Sequence, residues 1–114
     1  MTTDDEEKVL MDLISEFRSK IDEDESLRKK MKRYQRDVQI DFDSGNKYNL
    51  TLEEGEVSDF EEGDLENPDI SVETDVETLK DILEGEASAM QAYAKGKIKV
   101  DAPLTDLLKF KKLL

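Results

Sequence analysis

The chain of 114 residues has no cysteine, no histidine and no tryptophan. Without cysteine it has no disulfide and no thiolate metal site. Without histidine it lacks the commonest general base and the commonest metal ligand. Serine–histidine and cysteine–histidine catalysis are thereby excluded. There are only five glycines and two prolines, and no glycine-rich phosphate loop can be traced. No window approaches the roughly 18 apolar residues of a membrane-spanning helix. The opening MTTDDEEKVL is acidic and has no apolar run, unlike a secretory signal.

Negative charge is abundant. Thirty acids against seventeen bases give a net charge of −13, which argues against a nucleic-acid partner. The charge is unevenly spread. Residues 28–47 hold seven bases and three acids, whereas residues 48–79 hold twelve acids and no base. The dense acidic run over 53–69 reads as a solvated edge and loop that aids solubility. Within DFDSGN the glycine comes one place too early for a calcium loop, and no glutamate stands at the twelfth position. No metal and no cofactor is expected. No paired arrangement of acids can be read from their spacing, so no enzymatic activity is expected either. Charged residues are 41% of the chain and apolar ones 36%, near the edge of the disordered class. A fold is specified because the apolar residues are periodic. The length fits one domain, 1–114, with a single core.

Val9, Leu10, Leu13, Ile14, Phe17 and Ile21 recur at helical spacing, and Thr3 with Glu6 forms a candidate capping box. A second helix is expected over 25–36, with Leu27, Met31 and Tyr34 on one face and six bases around it. The period then becomes two. Val38, Ile40 and Phe42 alternate with polar residues, as do Tyr48, Leu50 and Leu52, with the turn signal DSGN between them. That predicts a β-hairpin. EVSDF is a weaker third strand, EEGDLENPD a loop, and DISVET a strand with Ile70 and Val72 inward. Thr74 and Glu77 suggest a capping box for a helix with Val76, Leu79, Ile82 and Leu83 on its apolar side. Gly85 ends it. A short helix over about 87–95 stops at Gly96, and KIKVD is the last strand. Pro103 opens a final helix carrying Leu104, Leu107, Leu108, Phe110, Leu113 and Leu114. The fourth strand and the last are joined through two helices, which predicts a parallel pair with a right-handed crossover. The fold class is α+β: two layers, a mainly antiparallel five-stranded sheet, helices on one face.

The helix over 87–95 offers four alanines, with Met90 and Tyr93 as its only bulky members. Alanines fill little volume, so a sheet face of Phe42, Leu50, Leu52, Ile70, Val72, Ile98 and Val100 beneath them leaves space for an apolar ligand. Close packing of the same residues is the plainer alternative. About fourteen buried methylenes at ~0.8 kcal/mol each supply roughly 11 kcal/mol gross. Lost freedom cuts this to about micromolar affinity.

The run PDISVETDVETLKDILEGEASAMQAYAKGKIKVDAPLTDLLKFKKLL resembles the sterol carrier protein type 2 domain. Asp69, Thr78, Leu79, Gly85, Met90, Ala92, Tyr93, Gly96, Lys97, Ile98, Lys99 and Val100 carry the resemblance. Lys95, before the GKIKV glycine, and Ala102-Pro103 depart from the family's pattern; the second departure falls at the entry to the last helix, which in this family helps close a lipid tunnel. The resemblance implies non-enzymatic binding or transfer of an apolar lipid, such as a fatty acid or fatty acyl-CoA. Candidate tunnel-wall residues are then Phe42, Leu50, Leu52, Ile70, Val72, Leu79, Ile82, Leu83, Met90, Tyr93, Ile98, Val100, Leu104, Leu107 and Leu108. Arg28, Lys29, Lys32 and Arg33 are candidate contacts for an anionic membrane surface or acyl-CoA phosphates; a solvated helix face is the alternative. The terminal KKLL is not a serine–lysine–leucine peroxisomal address, so a prokaryotic, cytoplasmic setting is expected. The competing function is a structural or protein-interaction module, or an accessory subunit of a lipid-metabolising enzyme, with its tunnel filled.

Overall fold

The computed structural model describes residues 3–106 and 108. Helix α1, Thr3–Glu23, opens with Asp4, Asp5 and Glu6 at the positive end of its dipole. Val9, Leu10, Leu13, Ile14 and Ile21 make its buried stripe. The Thr3 side chain of the expected capping box lies outside what the structure describes; the Glu6 carboxylate turns inward to accept hydrogen bonds from Ser44, Asn46 and Tyr48. Helix α2, Glu25–Met31, starts at Asp24, whose carboxylate accepts from the Leu27 amide at 3.1 Å. It stops five residues earlier than the periodicity suggests. Arg36 already belongs to the sheet, so Tyr34 must turn inward from the linking segment instead of from a helical face.

Strands β1, Arg36–Phe42, and β2, Lys47–Glu53, form the expected hairpin, with Val38 opposite Leu50 and Ile40 opposite Tyr48. Gly45 takes the left-handed φ of 96° in its turn, a conformation that glycine adopts without a Cβ clash. The polar face is not wholly exposed, because the 63–69 loop folds over it. There Leu65 donates its amide to the buried Gln39 side chain at 2.7 Å. Strand β3, Glu56–Val57, pairs with the end of β2. The expected loop holds one more short strand, β4, Glu61–Glu62, which pairs with Asn49 and Tyr48. Its two glutamates gave no apolar alternation to reveal it.

Strand β5, Ile70–Thr74, lies parallel to β1, with Val38 opposite Ile70 and Phe42 opposite Thr74. Helix α3, Val76–Leu83, is capped by Asp75, which accepts from the Thr78 amide at 2.7 Å. The expected cap, Thr74, is spent in the ladder, and its hydroxyl donates to the Lys97 carbonyl at 3.3 Å. Helix α4, Ala89–Ala94, has a full capping box of Ser88 and Gln91. Strand β6, Lys99–Asp101, then pairs antiparallel with β5, Val72 opposite Val100. This corrects the expected parallel pair. One crossing helix carries a chain to the far end of a sheet; the α3–α4 pair leaves at Thr74 and returns beside it at Lys97. The parallel neighbours are β1 and β5 instead.

The sheet is therefore mixed, in the order β3-β2-β1-β5-β6 with β4 also on β2. Among the described residues it has six strands, not five, and remains mainly antiparallel within a two-layer α+β fold. After Pro103, residues 104–106 and 108 are helical. Leu107, Phe110, Leu113 and Leu114 lie outside the described residues.

Candidate functional site

The apolar stripe of α1 faces the apolar side of the sheet, and α3 lies alongside. Between the layers is a cavity of about 100 Å³. Leu13, Ile14 and Phe17 of α1 form one wall, and Leu79 and Ile82 of α3 another. The floor is Val38, Ile40, Leu50, Leu52, Ile70, Val72, Thr74, Ile98 and Val100. Among the described residues no charged group lines it. Thr74 is the one hydroxyl among them, and that hydroxyl points its proton at the Lys97 carbonyl. Phe17, Val72, Ile82 and Val100 are half-buried, so the cavity reaches the surface along the gap between α1, α3 and β6.

Eight of the expected wall residues meet here: Leu50, Leu52, Ile70, Val72, Leu79, Ile82, Ile98 and Val100. Phe42 is buried beside the cavity, edge-on to Tyr48 with centroids 5.6 Å apart. Leu83 is half-buried against the core without lining the void. Met90 and Tyr93 stand on the outside, 55% and 46% exposed. The inner side of α4 is Ala89 and Ala92, both buried. Leu104 and Leu108 are also exposed, at 72% and 59%, and Leu107 lies outside the described residues. Leu13, Ile14, Phe17, Val38, Ile40 and Thr74 line the cavity and were not expected there. The signal for the first three was present: their stripe had to cover something, and the apolar sheet face was the available partner.

Three polar knots flank this apolar layer. At the N-terminal end of α1, Asn46 and Tyr48 donate to one oxygen of Glu6 at 2.8 and 3.1 Å, and Ser44 donates to the other. Burial first, and then the hydrogen bond to Glu6, push the Tyr48 hydroxyl up to about 12. Farther along, Arg18 donates to the Val57 carbonyl at 2.7 and 3.1 Å and pairs with Asp59. Both ends of the α1 wall are thus tied to the sheet. At the start of β1, Arg36 stacks over Tyr34 and pairs with the buried Asp106 at 3.1 Å. Burial and the Asp106 carboxylate raise the Tyr34 pKa.

A wider depression of about 270 Å³ sits at the end of β1 and β5, but carboxylates and lysines line it, including Asp41, Glu73, Lys97 and Lys99. It suits water, not an apolar chain. Asp81, Glu84 and Glu86 bring carboxylate oxygens within 4.8 Å of one another near the end of α3. Such exposed acidic groups are common without an ion, and nothing else there points to one.

Two layers enclosing an uncharged, hydrocarbon-lined cavity define a small α+β domain of the sterol carrier type. The chain belongs to the SCP-2 sterol transfer family, whose pattern matches residues 14–114. Lipid binding or transfer, in general terms, is the activity that membership supports. Comparison with curated protein sequences finds no match. Among solved structures, the stereoselective inverting sec-alkylsulfatase Pisa1 from Pseudomonas sp. is 22% identical, with a TM-score of 0.61 over 76% of this chain. This chain spans only 14% of that protein's length. Palmitated SCP2L2 from Aedes aegypti is 17% identical, with a TM-score of 0.62 over 89% of this chain and 91% of its own. The ubiquinone synthesis protein UbiJ-SCP2 is 14% identical, with a TM-score of 0.64 over 99% of this chain and 92% of its own. These likenesses concern the fold. No helix among the described residues is long and apolar enough to cross a membrane.

Proposed function

We propose that the protein holds the hydrocarbon chain of a lipid between α1, α3 and the sheet, without a covalent step. The observation that carries this reading is the lining: fourteen side chains from both layers converge, and none is charged. The driving force is removal of methylenes from water, at ~0.8 kcal/mol each.

Volume sets a condition. At about 30 Å³ per water-sized group, a cavity of this size takes roughly three or four such groups. A fourteen-methylene chain needs about four times more. The gap therefore widens when cargo enters. The α1 wall is tied at Glu6 and Arg18, whereas α3 and α4 meet the core through Val76, Leu79, Ala89 and Ala92. The α3 side is the one that yields.

Among the described residues no cation lines the cavity to pair with a carboxylate, and an unpaired buried carboxylate is costly. The polar head of a fatty acid or acyl-CoA consequently stays outside. On α2, Arg28 already donates to the Asp22 carbonyl, and Lys29 pairs with Glu25 at 3.7 Å. Lys32, the C-cap of α2, and Arg33 just beyond it are then the positions for acyl-CoA phosphates. The palmitated relative supports a fatty acyl chain as cargo.

The competing reading, a filled core serving as an accessory module, draws on the small cavity and on the sulfatase likeness. Titration with a fluorescent long-chain fatty acid separates the two. The parent chain is expected to bind at about micromolar concentration. Ile82→Arg, at a half-buried position of the wall, is expected to weaken binding at least about tenfold by placing a charge at the opening. No binding by the parent chain into the high micromolar range sinks the carrier reading and leaves the filled core.

A further inference from the structure

We infer that Arg36 is a headgroup site: it pairs with the free carboxylate of a fatty acid whose chain enters the cavity, and Asp106 is the internal carboxylate that this cargo displaces. The site deepens the carrier reading, on which it rests, by selecting the class of lipid. Strand β1 sends alternate side chains to one face. Val38 and Ile40 line the cavity, so Arg36, two residues before Val38, leaves from that same face. It stands opposite Leu52, another floor residue. Two residues of strand span about 7 Å. A hydrocarbon chain lying along this row therefore ends beside a cation at the edge of the cavity, outside its lining.

The Arg36 side chain is 34% exposed and stacks on Tyr34. Its Nε donates to Asp106 Oδ2 at 3.1 Å, and its Nη1 donates to the Gln35 carbonyl at 2.7 Å. A guanidinium carries five N–H donors, so these two bonds leave donors for an incoming carboxylate. Asp106 is a poorly satisfied partner. It is fully buried, and its Oδ1 has no hydrogen bond among the described residues. Arginine holds a carboxylate best through two parallel bonds, and Asp106 accepts one. Asp69, whose charge also acts on Arg36, is already engaged by the Asp37 amide at 2.8 Å. Releasing Asp106 sacrifices little apolar burial, because Pro103, Leu104, Thr105 and Leu108 around it are exposed already. A fatty-acid carboxylate that takes its place keeps the guanidinium neutralised. An acyl-CoA brings an uncharged thioester to this position, and an ester brings no charge either, so the site favours free acids.

Equilibrium binding of radiolabelled palmitic acid and methyl palmitate tests this. Asp106→Asn removes the competing carboxylate. It is expected to raise affinity for the acid about tenfold, the size of one hydrogen bond to a charged group, and to leave the ester unchanged. Adding Arg36→Gln to Asp106→Asn leaves no buried charge unpaired, and is expected to abolish that gain. Nuclear magnetic resonance of the unmodified chain checks the contact without a substitution: the Arg36 Nε–H signal is expected to move with palmitic acid and to stay in place with the ester. Three results overturn the inference while the carrier reading stands: an equal gain for acid and ester in Asp106→Asn, a gain that survives Arg36→Gln, or an Arg36 signal unmoved by bound palmitic acid. Failure of the unmodified chain to bind either lipid sinks the carrier reading, and the headgroup site with it.

Discussion

Glu6 is only 1% exposed and still carries a carboxyl group. A buried carboxylate without partners is costly, and three side-chain donors from the β1–β2 hairpin supply them. This has a consequence at alkaline pH. Tyr48 donates to Glu6 and ionises near 12, above the ordinary value of 10.0. The folded chain thus keeps a proton that the unfolded chain loses first. Stability from this site is complete below pH 10 and is lost as pH rises through about 12. Comparing urea midpoints of the parent and Tyr48→Phe along that range is expected to show the parent's advantage shrinking. A constant difference would mean that Tyr48 ionises alike in both states. At this same scale, α4 was the hardest element to orient from sequence. Ala89 and Ala92 share the three-residue spacing of Met90 and Tyr93. Large apolar residues are usually the buried ones, so periodicity favoured the wrong pair. In the structure the alanines are the buried pair and Met90 and Tyr93 stand exposed.

Among the elements, the hairpin was legible because each strand alternates apolar and polar residues over its whole length. The first helix was legible for the matching reason. Elements failed where the signal was short or doubled. Glu61–Glu62 has no apolar residue to mark it as a strand. Thr74 and Asp75 are both able to cap a helix, and only the pairing of Thr74 with Phe42 across the sheet removes it from contention. That choice is testable. Asp75→Ala is expected to lower stability by about 1 kcal/mol through loss of the cap. Glu77→Ala, which would break the capping box expected from sequence, is expected to cost well under half as much. Equal losses in chemical denaturation would restore the Thr74 cap. The direction of β6 failed for a topological reason: sequence reveals that two helices intervene, but not whether the second retraces the first.

For the whole molecule, the layered architecture follows from apolar faces that must cover one another. The α1 stripe and the sheet floor were both readable, and their juxtaposition is what builds the cavity. The sequence reading instead placed the roof on α4, because its alanines suggested empty space. No residue of α4 lines the cavity, which lies under Leu13, Phe17, Leu79 and Ile82. A cavity of about 100 Å³ is a seam, not a finished tunnel. On the carrier reading proposed above, cargo widens it, and the ties at Glu6 and Arg18 leave the α3 side to move.

The most direct measurement is of magnetisation transfer from a bound long-chain fatty acid to the isotope-labelled protein by nuclear magnetic resonance. The chain methylenes are expected to contact Phe17, Leu79 and Ile82 together, with the α3 resonances shifting most on binding. Contacts confined to Met90 and Tyr93, or no intermolecular contact at saturating lipid, would contradict a carrier whose cargo lies between α1, α3 and the sheet.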